Sequence, residues 1–197
     1  MEQIPPLRVV LASTSPYRRE LLARLRIPFE IIAPEVDEVP LADESAQATA
    51  IRLAALKAAT VAEHFRAHLI IGSDQVAECN GKRLDKPLRH EAAVDQLLQA
   101  SGRTAVFYTA VVLLDTSSGH RQTDVIPTRV RFRKLGRDEI ERYLAKEPAY
   151  DCAGSAKSEG LGIALLDSLQ GSDPTALIGL PLISLSRMLR KAGLLVP

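Results

Sequence analysis

Cysteine is scarce in this chain. Cys79 and Cys152 are the only two in 197 residues, far apart and without a partner motif. They read as reduced, buried small hydrophobes rather than as a bridge or a reactive pair. Long apolar runs are missing as well. No window approaches the ~20 uninterrupted apolar residues of a membrane span. Met1 to Leu7 shows no basic segment leading into an apolar stretch, so no signal peptide is visible and the cytoplasm is the expected location. Charge of one sign is also missing, with 25 Lys and Arg against 24 Asp and Glu. Nucleic-acid binders draw affinity from phosphate contacts and carry a basic excess or stripe. Its lack argues against DNA or RNA as the main partner, though not against a small phosphorylated ligand.

Several familiar motifs are missing too. No G-x-x-x-x-G-K-[ST] loop occurs, since Gly81-Lys82 lies in an expected hairpin turn. Gly160 and Gly162 begin a G-x-G, but Leu165 stands where a third glycine belongs, so the dinucleotide fingerprint fails. His64 and His68 are spaced i and i+4 without the Glu of H-E-x-x-H, and read as solvated residues at a helix end. No G-x-S-x-G elbow is present. Repeats, low-complexity tracts and linkers are likewise missing.

What is present is an ordinary globular composition, 46% hydrophobic and 25% charged, at a length that buries a core without staples. Leu7 to Leu11 reads as a buried strand. Ser15 then stands where an N-cap belongs and Pro16 where a first helical residue belongs, with Leu21, Leu22 and Leu25 at helical spacing. Phe29 to Ala33 reads as a strand, Ala46 to Phe65 as a long Ala-rich helix, and Leu69 to Gly72 as a buried strand running into Ser73-Asp74-Gln75. Asn80-Gly81 fits a type I′ hairpin turn. A helix over Glu91 to Ala100 precedes two long strands, Thr104 to Leu114 and Gln122 to Arg133. In the second, Val130 and Phe132 alternate with Arg129, Arg131 and Arg133, giving one solvated face. A helix over Asp138 to Lys146, a loop over Ala153 to Gly162, a strand over Gly162 to Leu166 and a helix over Pro181 to Lys191 complete the chain. The expectation is an α/β protein, a mixed twisted sheet flanked by helices, one domain over residues 1–197 arranged as two lobes around a cleft.

Three places could carry chemistry. The first is the turn from strand to helix. A helix N-terminus exposes unpaired N–H groups and the positive end of the dipole, which suits an anion. Ser13 and Ser15 precede it, and Arg18 and Arg19 lie in its first turn, where cations are unfavourable unless an anion joins them. The plainer alternative is a Ser15 cap with solvated arginines. The second place is Asp74, expected just past the carboxyl end of a buried strand, where open α/β sheets put their crevice. The third is Val36-Asp37-Glu38. Lys57 interrupts an otherwise Ala-rich, largely buried helix, and Lys86-Pro87 follows the hairpin. Together, carboxylates that hold Mg²⁺ or Mn²⁺ and cations that neutralise phosphate make one coherent chemistry.

Ala12-Ser13-Thr14-Ser15-Pro16-Tyr17-Arg18-Arg19, Gly72-Ser73-Asp74-Gln75, Asp85-Lys86-Pro87 and Gly179-Leu180-Pro181-Leu182 occur in that order over nearly the whole chain. This combination strongly resembles the Maf family of nucleoside triphosphate pyrophosphatases. The resemblance implies hydrolysis of the α–β phosphoanhydride to a nucleoside monophosphate and pyrophosphate. It further implies a divalent cation (Mg or Mn), a house-cleaning role in the cytoplasm, a homodimer as an allowed state, and the fold of inosine triphosphate pyrophosphatases. By that resemblance Asp74 is the catalytic carboxylate and a metal position. Glu38 is a second metal position, and Ser13, Arg18, Arg19, Lys57 and Lys86 handle phosphate.

Tyr17, Gln75 and Glu159, the last within Lys157-Ser158-Glu159-Gly160, are similar to the branch that acts on 7-methyl-GTP. The branch acting on dTTP and UTP differs at all three. Chemistry points the same way. Guanine offers N1–H and N2–H₂ donors that one carboxylate accepts, and N7-methylation makes the base a cation that an aromatic face attracts by about 0.5–2 kcal/mol. The alternatives are a dTTP/UTP pyrophosphatase and a nucleotide-binding regulator of cell division with little catalysis.

Overall fold

The computed structural model describes Leu7 to Val196; the reading of Met1 to Leu7 falls outside this span except for Leu7. Five α-helices and seven strands, with two short 3-10 helices, occur in these residues. They are β1 (Arg8–Ala12), α1 (Pro16–Ala23), β2 (Phe29–Ile32), α2 (Ala46–Ala62), β3 (His68–Cys79), β4 (Lys82–Arg83), α3 (His90–Ala100), β5 (Thr104–Asp115), β6 (Arg121–Phe132), α4 (Arg137–Lys146), β7 (Leu166–Gln170) and α5 (Leu182–Lys191). The strands make one mixed sheet in the order β2-β1-β3-β5-β6-β7, with β4 appended to β3. β1 runs parallel to β2 and β3, and every later pairing is antiparallel.

Two features of this sheet create a cleft. β1 pairs with β3 only from Arg8↔His68 to Ala12↔Gly72, whereas β5 follows β3 from Leu69 to Cys79. Past Gly72, therefore, one side of β3 lies open where β1 ends and α1 begins. The second feature comes from strand alternation, which sends odd-numbered residues of β3 and β5 to one face. Leu69, Ile71, Val111 and Leu113 pack there with Leu21 and Leu22 of α1 and Leu185 and Leu189 of α5. Ala77, Cys79, Ala105 and Phe107 pack with Val94, Leu97, Ile140 and Leu144 of α3 and α4. Ser73, Gln75 and Thr109 fall between the two clusters, so the two helix pairs are separated by a polar belt. The even-numbered face, with Ile70, Ala110 and Val112, is covered by Ala50, Ala54 and Ala58 of α2.

Gly72 sets how close α2 comes. A Cβ there would lie 2.1 Å from the carbonyl oxygen of Ala54 and 2.9 Å from Ala58 Cβ. Only glycine permits this approach, and it brings Lys57, in the same stretch of α2, alongside Asp74.

The structure departs from the sequence reading at four places. Asp74 lies in the middle of β3 and not past its end, because β5 continues to pair with the backbone of Ser73-Asp74-Gln75. The crevice rule survives in altered form: Asp74 stands just beyond the carboxyl end of β1. Helix α2 stops at Ala62, and His68 belongs to β3, so His64 and His68 do not share a helix face. Leu161–Leu165 is a 3-10 helix and not a strand; the strand follows as β7. Two of its amides are engaged outside any strand pairing, Gly162 N–H donating to Glu147 and Ile163 N–H to the Gly160 carbonyl. Cys79 is buried, but Cys152 is only half-buried; both are free thiols. Among the described residues no helix is long and apolar enough to cross a membrane.

Candidate active site

A cleft of about 720 Å³ opens at the carboxyl end of β1, within the ~300–1,000 Å³ usual for small-molecule sites. Its floor is the N-terminus of α1. Ser15 caps that helix, its hydroxyl accepting from the Arg18 amide at 3.4 Å. No acidic residue occupies the first turn, so the dipole's positive end is left for a ligand. Ser13 is buried and its hydroxyl accepts from the Ser15 amide at 3.1 Å. The Arg18 guanidinium donates to the Gly179 carbonyl at 2.9 Å and reaches Ser13 Oγ at 3.5 Å. Burial works against its charge, while Asp74 and Glu38 favour it.

Lys57 of α2 is the electrostatic hub. It is 4% exposed, and its ammonium donates to Asp74 Oδ1 at 2.6 Å and contacts Glu38 Oε1 at 2.9 Å. Burial raises the pKa of Asp74 above the ordinary carboxylate value, against the opposing pull of Lys57 and Arg18. Glu38 is more open. Its segment is tied to α2 through Arg52, which donates to the Val39 carbonyl at 3.2 Å and grips Glu44 at 2.7 and 2.8 Å. Two carboxylates converging on one ammonium are acceptor-rich, and they face a helix N-terminus that attracts anions.

The far wall carries Tyr17, Gln75 and Glu159. The Tyr17 hydroxyl donates to Asp151 Oδ2 at 3.0 Å, and the Lys157 ammonium lies 5.2 Å from its ring centre. Burial and the nearby Cys152 and Asp151 raise the Tyr17 pKa, so the ring stays a neutral phenol. The Gln75 amide nitrogen shares its two hydrogens among Thr109 Oγ1 and the carbonyls of Ala176 and Leu177, at 2.9, 3.1 and 3.0 Å. That fixes the amide, leaving its oxygen as the group free to meet a ligand. Glu159 is exposed at the mouth.

Ser13, Tyr17, Arg18, Glu38, Lys57, Asp74, Gln75, Lys86 and Glu159 thus all line one cleft. Arg19 does not. It is exposed and absent from the lining, because consecutive residues of a helix diverge by about 100°. Sequence reasoning missed three participants: Asp151, Lys157 over the Tyr17 ring, and the Ala176–Gly179 carbonyls that hold Gln75 and Arg18. Lys157 was signalled by its place in the Lys157-Ser158-Glu159-Gly160 motif. Asp151 had no signal, lying 134 residues from its partner.

The profile of the Maf-like protein family matches residues 8–192. A 7-methyl-GTP pyrophosphatase of Burkholderia pseudomallei (strain 1710b) is 57% identical over 191 residues, covering 95% of this chain and 89% of that protein. A 7-methyl-GTP pyrophosphatase of Albidiferax ferrireducens is 55% identical over 189 residues, covering 96% of this chain and 95% of that protein. Among solved structures, a HAM1 protein from Coxiella burnetii overlays with a TM-score of 0.50 at 14% identity, covering 94% of this chain and 99% of that one, a likeness of fold. With a match this long and relatives this similar, the chain belongs to the Maf-like protein family.

Proposed function

We propose that this chain is a 7-methyl-GTP pyrophosphatase, cleaving the α–β phosphoanhydride with water to give 7-methyl-GMP and pyrophosphate in the cytoplasm. The observation that carries the reading is the buried Asp74 carboxylate, held by Lys57 beside a capped helix N-terminus at the end of β1. In this reading Asp74 accepts the proton of the attacking water. Its raised pKa brings it nearer the working pH, which favours a general base. Ser13, Arg18 and the positive end of the α1 dipole hold phosphate oxygens, and Lys57 and Lys86 balance the charge that builds up on the leaving pyrophosphate.

The residues fit a divalent cation. Mg²⁺ characteristically takes one or two carboxylates and completes its shell with waters and substrate phosphates. Asp74 and Glu38, which share the Lys57 ammonium, are such a pair. Among the described residues no group of three or more His, Cys, Asp or Glu side chains could hold a metal ion. When bound, Mg²⁺ or Mn²⁺ would neutralise phosphate oxygens. For the base, Tyr17 offers a neutral aromatic face to the methylated, cationic ring, and Glu159 and the Gln75 oxygen offer acceptors to guanine N–H donors. Pyrophosphate release measured over a panel of 7-methyl-GTP, GTP, dTTP and UTP with Mg²⁺ or Mn²⁺ tests this. The expected outcome is fastest release from 7-methyl-GTP. A panel led by pyrimidine triphosphates overturns the base assignment, and inertness toward all four overturns the reaction.

A further inference from the structure

The loop carrying Lys157 and Glu159 is held from outside the cleft by residues to which no role has been given. It leaves and re-enters the body of the protein against the end of α4. Lys157 N–H donates to the hydroxyl of the buried Tyr143 at 3.2 Å. Gly162 N–H donates to Glu147 Oε2, also at 3.2 Å. Tyr143 and Glu147 are four residues apart, one helical turn, so they clasp the two ends of the loop side by side. Inside the clasp the loop closes on itself, with Gly160 N–H donating to the Lys157 carbonyl at 3.1 Å.

The glycines show how tight the fit is. A Cβ on Gly160 would lie 2.4 Å from Glu147 Oε1, and one on Gly162 would lie 2.5 Å from the Lys157 nitrogen. Neither position has a positive φ. The glycines are therefore required by space and not by backbone conformation, and at Gly160 the space is filled by the Glu147 carboxylate. A smaller recess of about 270 Å³ adjoins the cleft here, and Tyr17, Lys157 and Glu159 line it together with Glu147.

We infer that Glu147 is a positioning residue for the substrate's base: its carboxylate fixes the Lys157–Gly162 loop, and the loop sets Lys157 and Glu159 against the Tyr17 ring. The inference rests on the base reading proposed above. Glu147 bonds the loop at Gly162 whereas the Lys57 ammonium engages Asp74 and Glu38, so the effect of Glu147 falls on base binding and not on bond cleavage. In a folded Glu147→Ala variant the KM for 7-methyl-GTP rises about tenfold while kcat stays within about twofold. The preference for 7-methyl-GTP over UTP falls by the same factor. Glu147→Gln, which keeps an oxygen to accept from Gly162 N–H, restores most of the wild-type KM.

A second variant reaches the same contact from the other side. Gly160→Ala drives a methyl group into the carboxylate and produces the same rise in KM. In the double variant Glu147→Ala/Gly160→Ala the carboxylate is gone and the methyl fits, so the double loses no more than the worse single. That non-additivity marks residues in direct contact. The inference is overturned if folded Glu147→Ala keeps its KM and its preference, if kcat falls at constant KM, or if the two changes add. Failure of the base reading looks different: wild-type protein then prefers another nucleotide, and the KM comparison is made with that nucleotide. Should wild type turn over none of them, both the reading and this inference fall.

Discussion

Asp74 combines two demands that pull against each other. As a base it must be ionised, yet burial raises its pKa. A carboxyl with a raised folded pKa contributes its full stability only below its unfolded pKa, and that contribution is lost as pH rises through the folded value. The active, ionised form is thus the less stable one. Asp74→Asn removes the base and the burial cost of the charge together, while Lys57 keeps Glu38 as a partner at 2.9 Å. Turnover of 7-methyl-GTP is expected to fall about 10²–10⁴-fold, the usual contribution of a general base. The melting temperature at pH 7 is expected to rise, by about 2–4 °C for each kcal/mol gained, with the gain closing as pH falls toward 4. The acid limb of wild-type activity should lie above the ordinary carboxylate range. A variant less stable than wild type at pH 7 in calorimetry, or an acid limb at the ordinary value, contradicts the account. Asp74 was legible in the sequence as a candidate because of its motif. Its pairing with Lys57 was not, since nothing in a chain read linearly says which turn of α2 crosses β3.

At the scale of elements, Gly72 decides that crossing. Adding a methyl group forces α2 off β3 against a backbone carbonyl 2.1 Å away, which a side-chain rotation cannot relieve. Overpacking of this kind costs about 1–3 kcal/mol, and contact with backbone belongs at the upper end. Gly72→Ala is therefore expected to lower the melting temperature by about 6–12 °C and to weaken turnover at 25 °C, because Lys57 moves with its helix. Unchanged kinetics in a destabilised variant would separate packing from catalysis and refute the coupling. Elements with strong local signals were the legible ones. Ser15 caps α1 and Pro16 opens it, as their chemistry requires, and Asn80 and Gly81 both take positive φ in the turn joining β3 to β4. What escaped was decided by tertiary partners. β3 runs on through Ser73-Asp74-Gln75 because β5 pairs with backbone irrespective of side chain. Leu161–Leu165 has the apolar run of a strand, but the clasp at Glu147 takes one of its amides and leaves the strand to start at Leu166.

At the scale of the molecule, the cleft gathers segments from most of the chain: the end of β1, the Glu38 segment, α2, the middle of β3, the Asp151–Glu159 stretch and Gly179. The motif residues were legible because each stands in a short recognisable string. Their acceptors among the Ala176–Gly179 carbonyls were not, since backbone atoms carry no residue identity. A ligand that touches all these segments binds only the folded chain and stabilises it as a whole. The slow Asp74→Asn variant lets this be measured with intact 7-methyl-GTP, without added Mg²⁺ because the substitution also removes one of the two carboxylates proposed for the cation. At a hundred times its dissociation constant the nucleotide adds about 2.7 kcal/mol, a rise of about 5–11 °C in melting temperature. GTP at the same concentration lacks the cationic ring that Tyr17 and Glu159 attract, so its shift should be smaller. Pyrophosphate alone, which reaches only the α1 end, should shift least. Equal shifts for 7-methyl-GTP and GTP would show that the grip on phosphate accounts for all the binding and that the Tyr17 wall selects nothing.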